Sequence, residues 1–351
     1  MDANAKNAIL RAAVAAPSAD NSQPWLFHWE EDTLDLGIDP SRSGGVSDGR
    51  YVLSDLAVGA CLENMLIRGR SLGHEADMRF FATDADLWPV RLAWRSTDTR
   101  DAPLAAAIDA RHTDRRFPWR GPVGMDVHQR LAEQADRDGV QLHWLNDKAT
   151  RAQALAILRR AEALRFKSPL LHAELFSSVR FDVGWRATAA EGLPPAALAV
   201  EAPMRPVFQA LRNPRLMAAM NRVGAASMLG FRSSVMPVRL APALCLLSVA
   251  GTSRRDIINV GRALERVWLQ ATCEGLAVQP FAAAGVLALG FCKIEPRLNA
   301  EIAALQSAMH ALCPGAHCVM FLRMGRARSP VRWRSGRRTG VQGQVSASFT
   351  V

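Results

Sequence analysis

The residues best suited to chemistry lie near the N-terminus, in the stretch Pro17–Trp25, which reads PSADNSQPW. Small side chains such as Ser18 and Ala19 let main-chain N–H groups approach a ligand closely. Asn21 and Gln23 each add an amide donor and an amide acceptor. This combination suits a polar, planar ligand, whereas the local pattern alone is equally typical of an ordinary polar turn between a helix and a strand.

Arginine-rich segments form the second candidate. Residues 111–117 read RHTDRRF, and residues 323–338 contain seven arginines. The planar guanidinium binds phosphate through two parallel hydrogen bonds, so both segments are candidate anion sites. The alternatives are a pair of solvated surface arginines and a solvated basic tail.

Alternating helical and apolar strand-like patterns surround these segments, which favours an α+β or α/β fold. Residues 150–238 read as helices broken by prolines. Their methionines, which include Met204, Met217 and Met228, either fill an irregular core or line a lid. The patterns predict helices at 7–16, 54–72, 128–137, 257–273 and 298–312, and strands at 26–29, 33–36, 90–94, 140–145, 243–249 and 318–323.

An internal repeat is visible when residues 58–63 are placed over residues 260–265, an offset of 202. Val, Gly, Leu and Glu recur in register, and Gly73 then falls on Gly275. A glycine inside a helix costs about 1 kcal/mol relative to alanine, so its recurrence predicts close helix packing twice. The two halves of the chain are therefore predicted to be related.

The composition limits the possible partners. The chain has 351 residues, 49% of them hydrophobic and 22% charged, and its apolar runs are too short to span a bilayer. No basic segment followed by an apolar run marks a signal peptide, and six cysteines are too few for a disulfide scaffold, so we expect a cytoplasmic protein without a membrane partner. The net charge of +10 allows a nucleic-acid binder, but the arginines are scattered and we expect no nucleic acid.

Other catalytic patterns are weak. Four potential zinc ligands cluster at His310, Cys313, His317 and Cys318, but their spacing matches no common zinc module, so we predict no metal. No Ser/His/Asp triad, pair of catalytic carboxylates or glycine-rich phosphate loop stands out.

The Pro17–Trp25 stretch resembles the flavin-contacting loop of the FMN-dependent nitroreductase superfamily, and residues 111–117 resemble its arginine-containing opening motif. Each motif occurs in one half only. The chain is therefore most similar to the tandem, Acg-like branch, in which one polypeptide forms a pseudo-dimer. The resemblance implies a three-layer α/β/α sandwich in two related halves, 1–100 and 101–340, with an insertion at about 150–238, a possible lid, and a tail at 341–351. Such a chain would keep one FMN site and lose its twin.

The resemblance also implies residue roles. Arg111 and Thr113 would bind the FMN phosphate, while Arg115 would lie beside the pyrimidine edge and stabilise the reduced flavin. Residues 275–283 resemble the loop whose main-chain N–H faces flavin N5, with Ala282 as the donor. The complete predicted set is Pro17, Ser18, Ala19, Asn21, Gln23, Arg111, His112, Thr113, Arg115, Pro280, Phe281, Ala282, Ala283, Arg334, Arg337 and Arg338.

Two functions follow from this resemblance. The first is an FMN-dependent oxidoreductase that takes electrons from NAD(P)H and reduces nitroaromatics, quinones or similar small acceptors. The alternative is a lid-covered, flavin-sequestering protein with little turnover. Either a monomeric pseudo-dimer or a homodimer is compatible with the pattern.

Overall fold

The computed structural model describes residues 1–81 and 86–338, and the predicted tail lies outside the described residues. The first part of the chain forms α1 (Ala3–Val14), β1 (Trp25–Glu30), β2 (Thr33–Ile38), α2 (Val52–Ser71), β3 (His74–Phe80) and β4 (Val90–Ser96). The middle part forms α3 (Met125–Ala135), β5 (Val140–Trp144), α4 (Lys148–Lys167), α5 (Pro169–Ser178), α6 (Arg205–Ala210), α7 (Pro214–Asn221), α8 (Ala225–Gly230) and α9 (Met236–Arg239). The last part forms β6 (Ala243–Val249), α10 (Arg254–Cys273), β7 (Ala277–Phe281), α11 (Ala283–Ala288), α12 (Asn299–Leu312) and β8 (His317–Gly325).

The strands form two four-stranded antiparallel sheets, with the orders β1-β2-β4-β3 and β5-β6-β8-β7. The predicted strands 26–29 and 33–36 pair as an antiparallel hairpin, β1 with β2, and the predicted strand 243–249 has the observed bounds. Two strands were not predicted, β3 and β7. A loop was expected around Pro280, but that residue lies in β7 at the sheet edge, where the missing N–H of proline is tolerated.

Helices cover the second sheet on both faces. Along β6, Cys245 and Leu247 pack with α10, and Leu244 and Leu246 pack with α4, α11 and α12. The first sheet buries one face against α1 and α2, while its other face carries exposed residues such as Arg91. The predicted α+β class is confirmed, and its three layers are built around the second sheet.

The two long helices α2 and α10 show that the halves are related. Their bounds differ by the 202 residues that separate the repeated sequence motifs. A methyl group added at Gly59 would overlap the carbonyl oxygen of Ile258, and one at Gly261 would overlap that of Leu56. Because Leu56 and Ile258 are themselves 202 residues apart, the contact is reciprocal, as in a two-fold interface. The predicted duplication is confirmed.

Both long helices begin at carboxylate caps. The Asp48 side chain accepts from the main-chain N–H groups of Leu53 and Ser54 at 2.7 and 3.0 Å. At the start of α10, Ser253 precedes the helix and forms a reciprocal capping box with Asp256 in its first turn. These caps fix where each helix starts, and none of the described helices is long and apolar enough to cross a membrane.

Candidate functional site

The Pro17–Trp25 loop has an unusual backbone. Asp20, Asn21 and Gln23 all have φ between 50° and 57°, in the left-handed region. Ser18 stabilises the turn because its hydroxyl accepts from the Gln23 main-chain N–H at 3.0 Å. The loop therefore holds a strained conformation of the kind that concentrates at binding sites.

The two amide side chains of this loop anchor other segments. Gln23 is fully buried, donates to the Ala190 carbonyl at 2.6 Å and accepts from the Arg338 main-chain N–H at 3.0 Å. Asn21 also donates to Ala190 and accepts from Arg337 at 3.1 Å. These bonds join the loop to the insertion and to the C-terminal arginine segment.

Residues 111–117 run beside the end of the second sheet, where Thr113 bridges to Val278 and the Asp114 N–H donates to the Val278 carbonyl at 3.0 Å. The same segment reaches the start of the Pro17–Trp25 loop through Arg111, which donates to the Ala15 carbonyl. Arg115 donates to the Ala197 carbonyl of the insertion at 3.3 Å. Burial lowers the pKa of Arg115, and the Asp20 carboxylate opposes that shift.

Arg111 is buried against α10. Its side chain is 2% exposed, lies over the Trp268 ring and donates to the Ala15 carbonyl at 2.7 Å. Its Nε lies 3.2 Å from Oε1 of Glu265, a carboxylate that is itself fully buried. Burial raises the pKa of Glu265 to about 7, although Arg111 lowers it.

Two adjoining cavities lie where these segments meet. The larger has a volume of about 910 Å³ and the smaller about 270 Å³. The residues that line both are Pro17, Ser18, Thr113, Arg115 and Leu193. The first half, the second half and the insertion therefore all contribute to the junction.

The smaller cavity is polar and is surrounded by cations. Asn21, His112 and Asp109 line it, together with Arg111, Arg115, Arg334 and Arg337. Burial lowers the pKa of Arg337 to about 10, and its guanidinium donates to the carbonyls of residues 14–16. Burial also lowers the pKa of His112. Several arginines among small polar groups suit an anion such as phosphate.

The larger cavity reaches the end of β7 and the start of α11. Pro280, Phe281, Ala282 and Ala283 line it, together with Ala19 and Asp20 from the loop. Much of its remaining wall comes from the insertion, and α2 and α10 contribute Leu53, Leu56, Leu264 and Trp268. The structure thus brings together the predicted loop, the arginine motif and residues 280–283, but Gln23 and Arg338 are committed to structural hydrogen bonds beside the cavities.

No family model matches this sequence. An uncharacterised protein of Mycobacterium tuberculosis is 26% identical over 330 residues, which cover 92% of this chain and 46% of that protein. Another protein of this organism, named "Putative NAD(P)H nitroreductase acg", is 29% identical over 78% of each chain. A third, "Putative NAD(P)H nitroreductase Rv3131", is 28% identical over 80% of this chain and 76% of its own length. The chain is similar in sequence to these three proteins over most of its length.

The resemblance expected from the two motifs is thereby confirmed. The chain spans about half the length of the first relative and about three quarters of the others. Among solved structures, an FMN-dependent nitroreductase from Mycobacterium smegmatis is 16% identical with a TM-score of 0.37, covering 71% of this chain and 99% of that one. A nitroreductase from Bacteroides fragilis is 10% identical with a TM-score of 0.39, covering 71% of this chain and all of that one.

The insertion contributes charged residues that the sequence motifs did not indicate. Arg165 lines the larger cavity and donates to the Glu162 carboxylate at 3.3 Å. Arg159, Glu174 and Arg232 also line it. The resemblance is weakest in this region, so only the proximity of the folded segments identifies these side chains.

Two of the four potential zinc ligands, Cys313 and Cys318, contact other groups. Cys313 Sγ lies 3.5 Å from Nε2 of His143, and Cys318 contacts the Met309 carbonyl. Within residues 1–81 and 86–338, no group of three or more His, Cys, Asp or Glu side chains is arranged to hold a metal ion.

Proposed function

We propose that the chain binds one FMN across the two joined cavities and acts as an NAD(P)H-dependent oxidoreductase. The observation that carries the proposal is the junction itself, where Ser18 from one half meets Thr113 and Arg115 from the other. An apolar cavity for a ring system continues there into an arginine-lined cavity for an anion. The larger volume, about 910 Å³, is within the range of known ligand sites.

The donors around the smaller cavity fit a phosphate group. Thr113 supplies a hydroxyl, Arg334 is exposed at the rim, and Arg111 and Arg337 add buried positive charge. Arg337 has most of its donors occupied by main-chain carbonyls, so its contribution is chiefly electrostatic. Arg111 is fixed in the same way by Ala15 and Glu265.

Residues of the larger cavity would hold the ring system. Bound FMN would supply the hydride-transfer chemistry, which side chains alone cannot provide. Arg115 lies at the junction in a partly buried position, where its charge acts on any negative charge that develops nearby. Pro280, Phe281, Ala282 and Ala283 would flank the ring and exclude water.

The relatives support the choice of electron donor. Two of them are named as NAD(P)H nitroreductases, and we propose NADH or NADPH as the donor and a nitroaromatic, quinone or similar small molecule as the acceptor. We also propose the division into halves at 1–100 and 101–340, with each half supplying one motif.

One observation favours the second candidate function, a covered flavin with little turnover. Much of the wall of the larger cavity comes from the insertion, including Phe166, Leu198, Phe208 and Phe231. A lid of this kind would restrict access of nicotinamide to the ring.

Anaerobic mixing of the purified, FMN-loaded protein with NADPH or NADH separates the two candidates. If the chain is an oxidoreductase, the flavin absorbance should bleach within seconds. A flavin that dithionite reduces but neither nicotinamide reduces would support the covered-flavin function. A protein that does not retain or bind FMN would contradict both.

A further inference from the structure

The insertion carries an unusual surface, formed by residues 202–240. It contains six arginines and no lysine, aspartate or glutamate, and the next acidic residue after Glu201 is Asp256. Arg212, Arg215, Arg222 and Arg239 are exposed. No carboxylate of the described chain forms an ion pair with any of these four. The surface is therefore strongly basic.

The same surface is also apolar. Of the eleven exposed large hydrophobic residues in the described chain, seven lie in 202–240. Leu216 and Met220 lie four residues apart on α7, and Val223 follows the end of that helix with 74% of its surface exposed. Isolated exposed hydrophobic residues need no explanation, but their concentration in one short region marks an interaction surface.

We propose that residues 202–240 dock the protein on an anionic membrane surface. Arginines bind lipid phosphates while their aliphatic stems, and the exposed methionine, leucine and valine side chains, enter the headgroup region. An acidic protein partner would satisfy the arginines but would not require so many exposed aliphatic side chains without a single carboxylate among them. The sequence predicted no membrane partner because its apolar runs are too short to span a bilayer, but docking on a membrane surface needs no spanning segment.

The surface is continuous with the larger cavity. Met204, Val207 and Met228 are 49%, 47% and 71% exposed, and all three also line that cavity. The mouth of the cavity therefore opens on the docking surface. On the proposed function, an apolar acceptor dissolved in the bilayer would enter the site directly from the lipid.

Vesicle co-sedimentation of the full chain tests the proposal without reference to FMN. We expect binding to vesicles of phosphatidylcholine with phosphatidylserine to be at least about tenfold stronger than to phosphatidylcholine alone, and to weaken with added salt. Arg215→Glu with Arg222→Glu should weaken it by about tenfold or more. The control Arg79→Glu with Arg95→Glu changes the net charge equally at exposed positions of the first half and should change binding by less than about twofold.

The exposed hydrophobic residues of 202–240 are tested with a second variant and its control. Met220→Ser with Val223→Ser should weaken vesicle binding by about fivefold or more, because two partly inserted side chains are lost. Met125→Ser, at a methionine that is 79% exposed outside this surface, should leave binding unchanged. Equal binding to neutral and anionic vesicles, or equal losses in test and control variants, would overturn the proposal. A concentration-dependent dimer abolished by the Met220 and Val223 changes, without vesicle binding, would also overturn it in favour of self-association.

Discussion

Two glutamates at equivalent positions of the paired helices have very different surroundings. Glu63 on α2 and Glu265 on α10 are related by the 202-residue offset. Glu63 accepts from Arg262 and Arg266 of the opposite helix, both at 2.9 Å. Two cations thus compensate this buried carboxylate, and Asp138 lies beside the same arginines at 3.0 and 3.6 Å.

Glu265 lacks this arrangement. The residues on α2 that correspond to Arg262 and Arg266 are Ala60 and Asn64, so no cation faces Glu265 from the opposite helix. Arg111 supplies the nearby charge instead, with its Nε 3.2 Å from Oε1 of Glu265. The backbone kept its two-fold symmetry while the charges diverged. One carboxylate now holds the halves together, and the other pairs with Arg111, which lines the smaller cavity.

The largest expected effect of this difference is on folding. Glu63→Gln leaves two buried arginines short of a counter-charge, so we expect the free energy of unfolding to fall by about 3–5 kcal/mol. Chemical denaturation monitored by circular dichroism measures it. Glu75→Gln, which breaks an exposed ion pair with Arg95, is the matched control and should cost less than about 1 kcal/mol. Similar losses in the two variants would contradict the structural role of Glu63.

A smaller, pH-dependent effect is expected at Glu265. Its pKa rises from the ordinary 4.5 to about 7 in the folded chain, because of burial, while Arg111, Asn64 and Arg337 lower it and Glu63 raises it. The folded state then holds a proton that the unfolded state releases, so this group's stabilisation is lost as pH rises from about 4.5 to about 7. The loss is about 3 kcal/mol.

Glu265→Gln isolates this contribution. The free energy of unfolding of the wild type, relative to that of the variant, should decrease by about 2.5 kcal/mol between pH 5 and pH 8. Denaturant titrations at several pH values measure the difference, and titrations of Glu75→Gln provide the control. A difference that stays constant over this range would mean that Glu265 is already ionised at pH 5.

The smallest effects concern the helix contact itself. Gly59→Ala and Gly261→Ala each force a methyl group against a carbonyl oxygen of the opposite helix, at a cost of about 1–3 kcal/mol that the better helix propensity of alanine partly offsets. Because the contact is reciprocal, the two costs should agree within about 0.5 kcal/mol. Thermal unfolding of both variants compares them, and a large cost at one glycine alone would contradict a symmetric interface.

Much of this architecture was predictable because it depends on local patterns. The long helices, the β1–β2 hairpin and the duplication follow from hydrophobic spacing and from Gly59 and Gly261. The edge strands β3 and β7 were missed because edge strands have weaker apolar alternation, and because Pro280 in β7 resembles a loop residue.

The parts of the candidate site that the sequence did not predict depend on contacts between residues far apart in the chain. The loop and the arginine motif were found from sequence, and both line the junction of the cavities. The burial of Arg111 against Glu265 depends on residues 154 positions apart in the sequence, and no local pattern indicates it. The same holds for Arg165 and the other insertion residues in the larger cavity, because no motif relates them to the loop they face.

The stoichiometry of FMN binding tests the central claim most directly, because that claim is one site built from two unequal halves. Fluorescence titration of FMN with the purified protein should give one FMN per chain, and Arg115→Ala should weaken binding by at least about tenfold by removing the cation at the junction. Arg95→Ala, on the exposed face of the first sheet, should bind FMN like the wild type. Two FMN per chain, no binding, or unchanged affinity in the Arg115 variant would contradict the account.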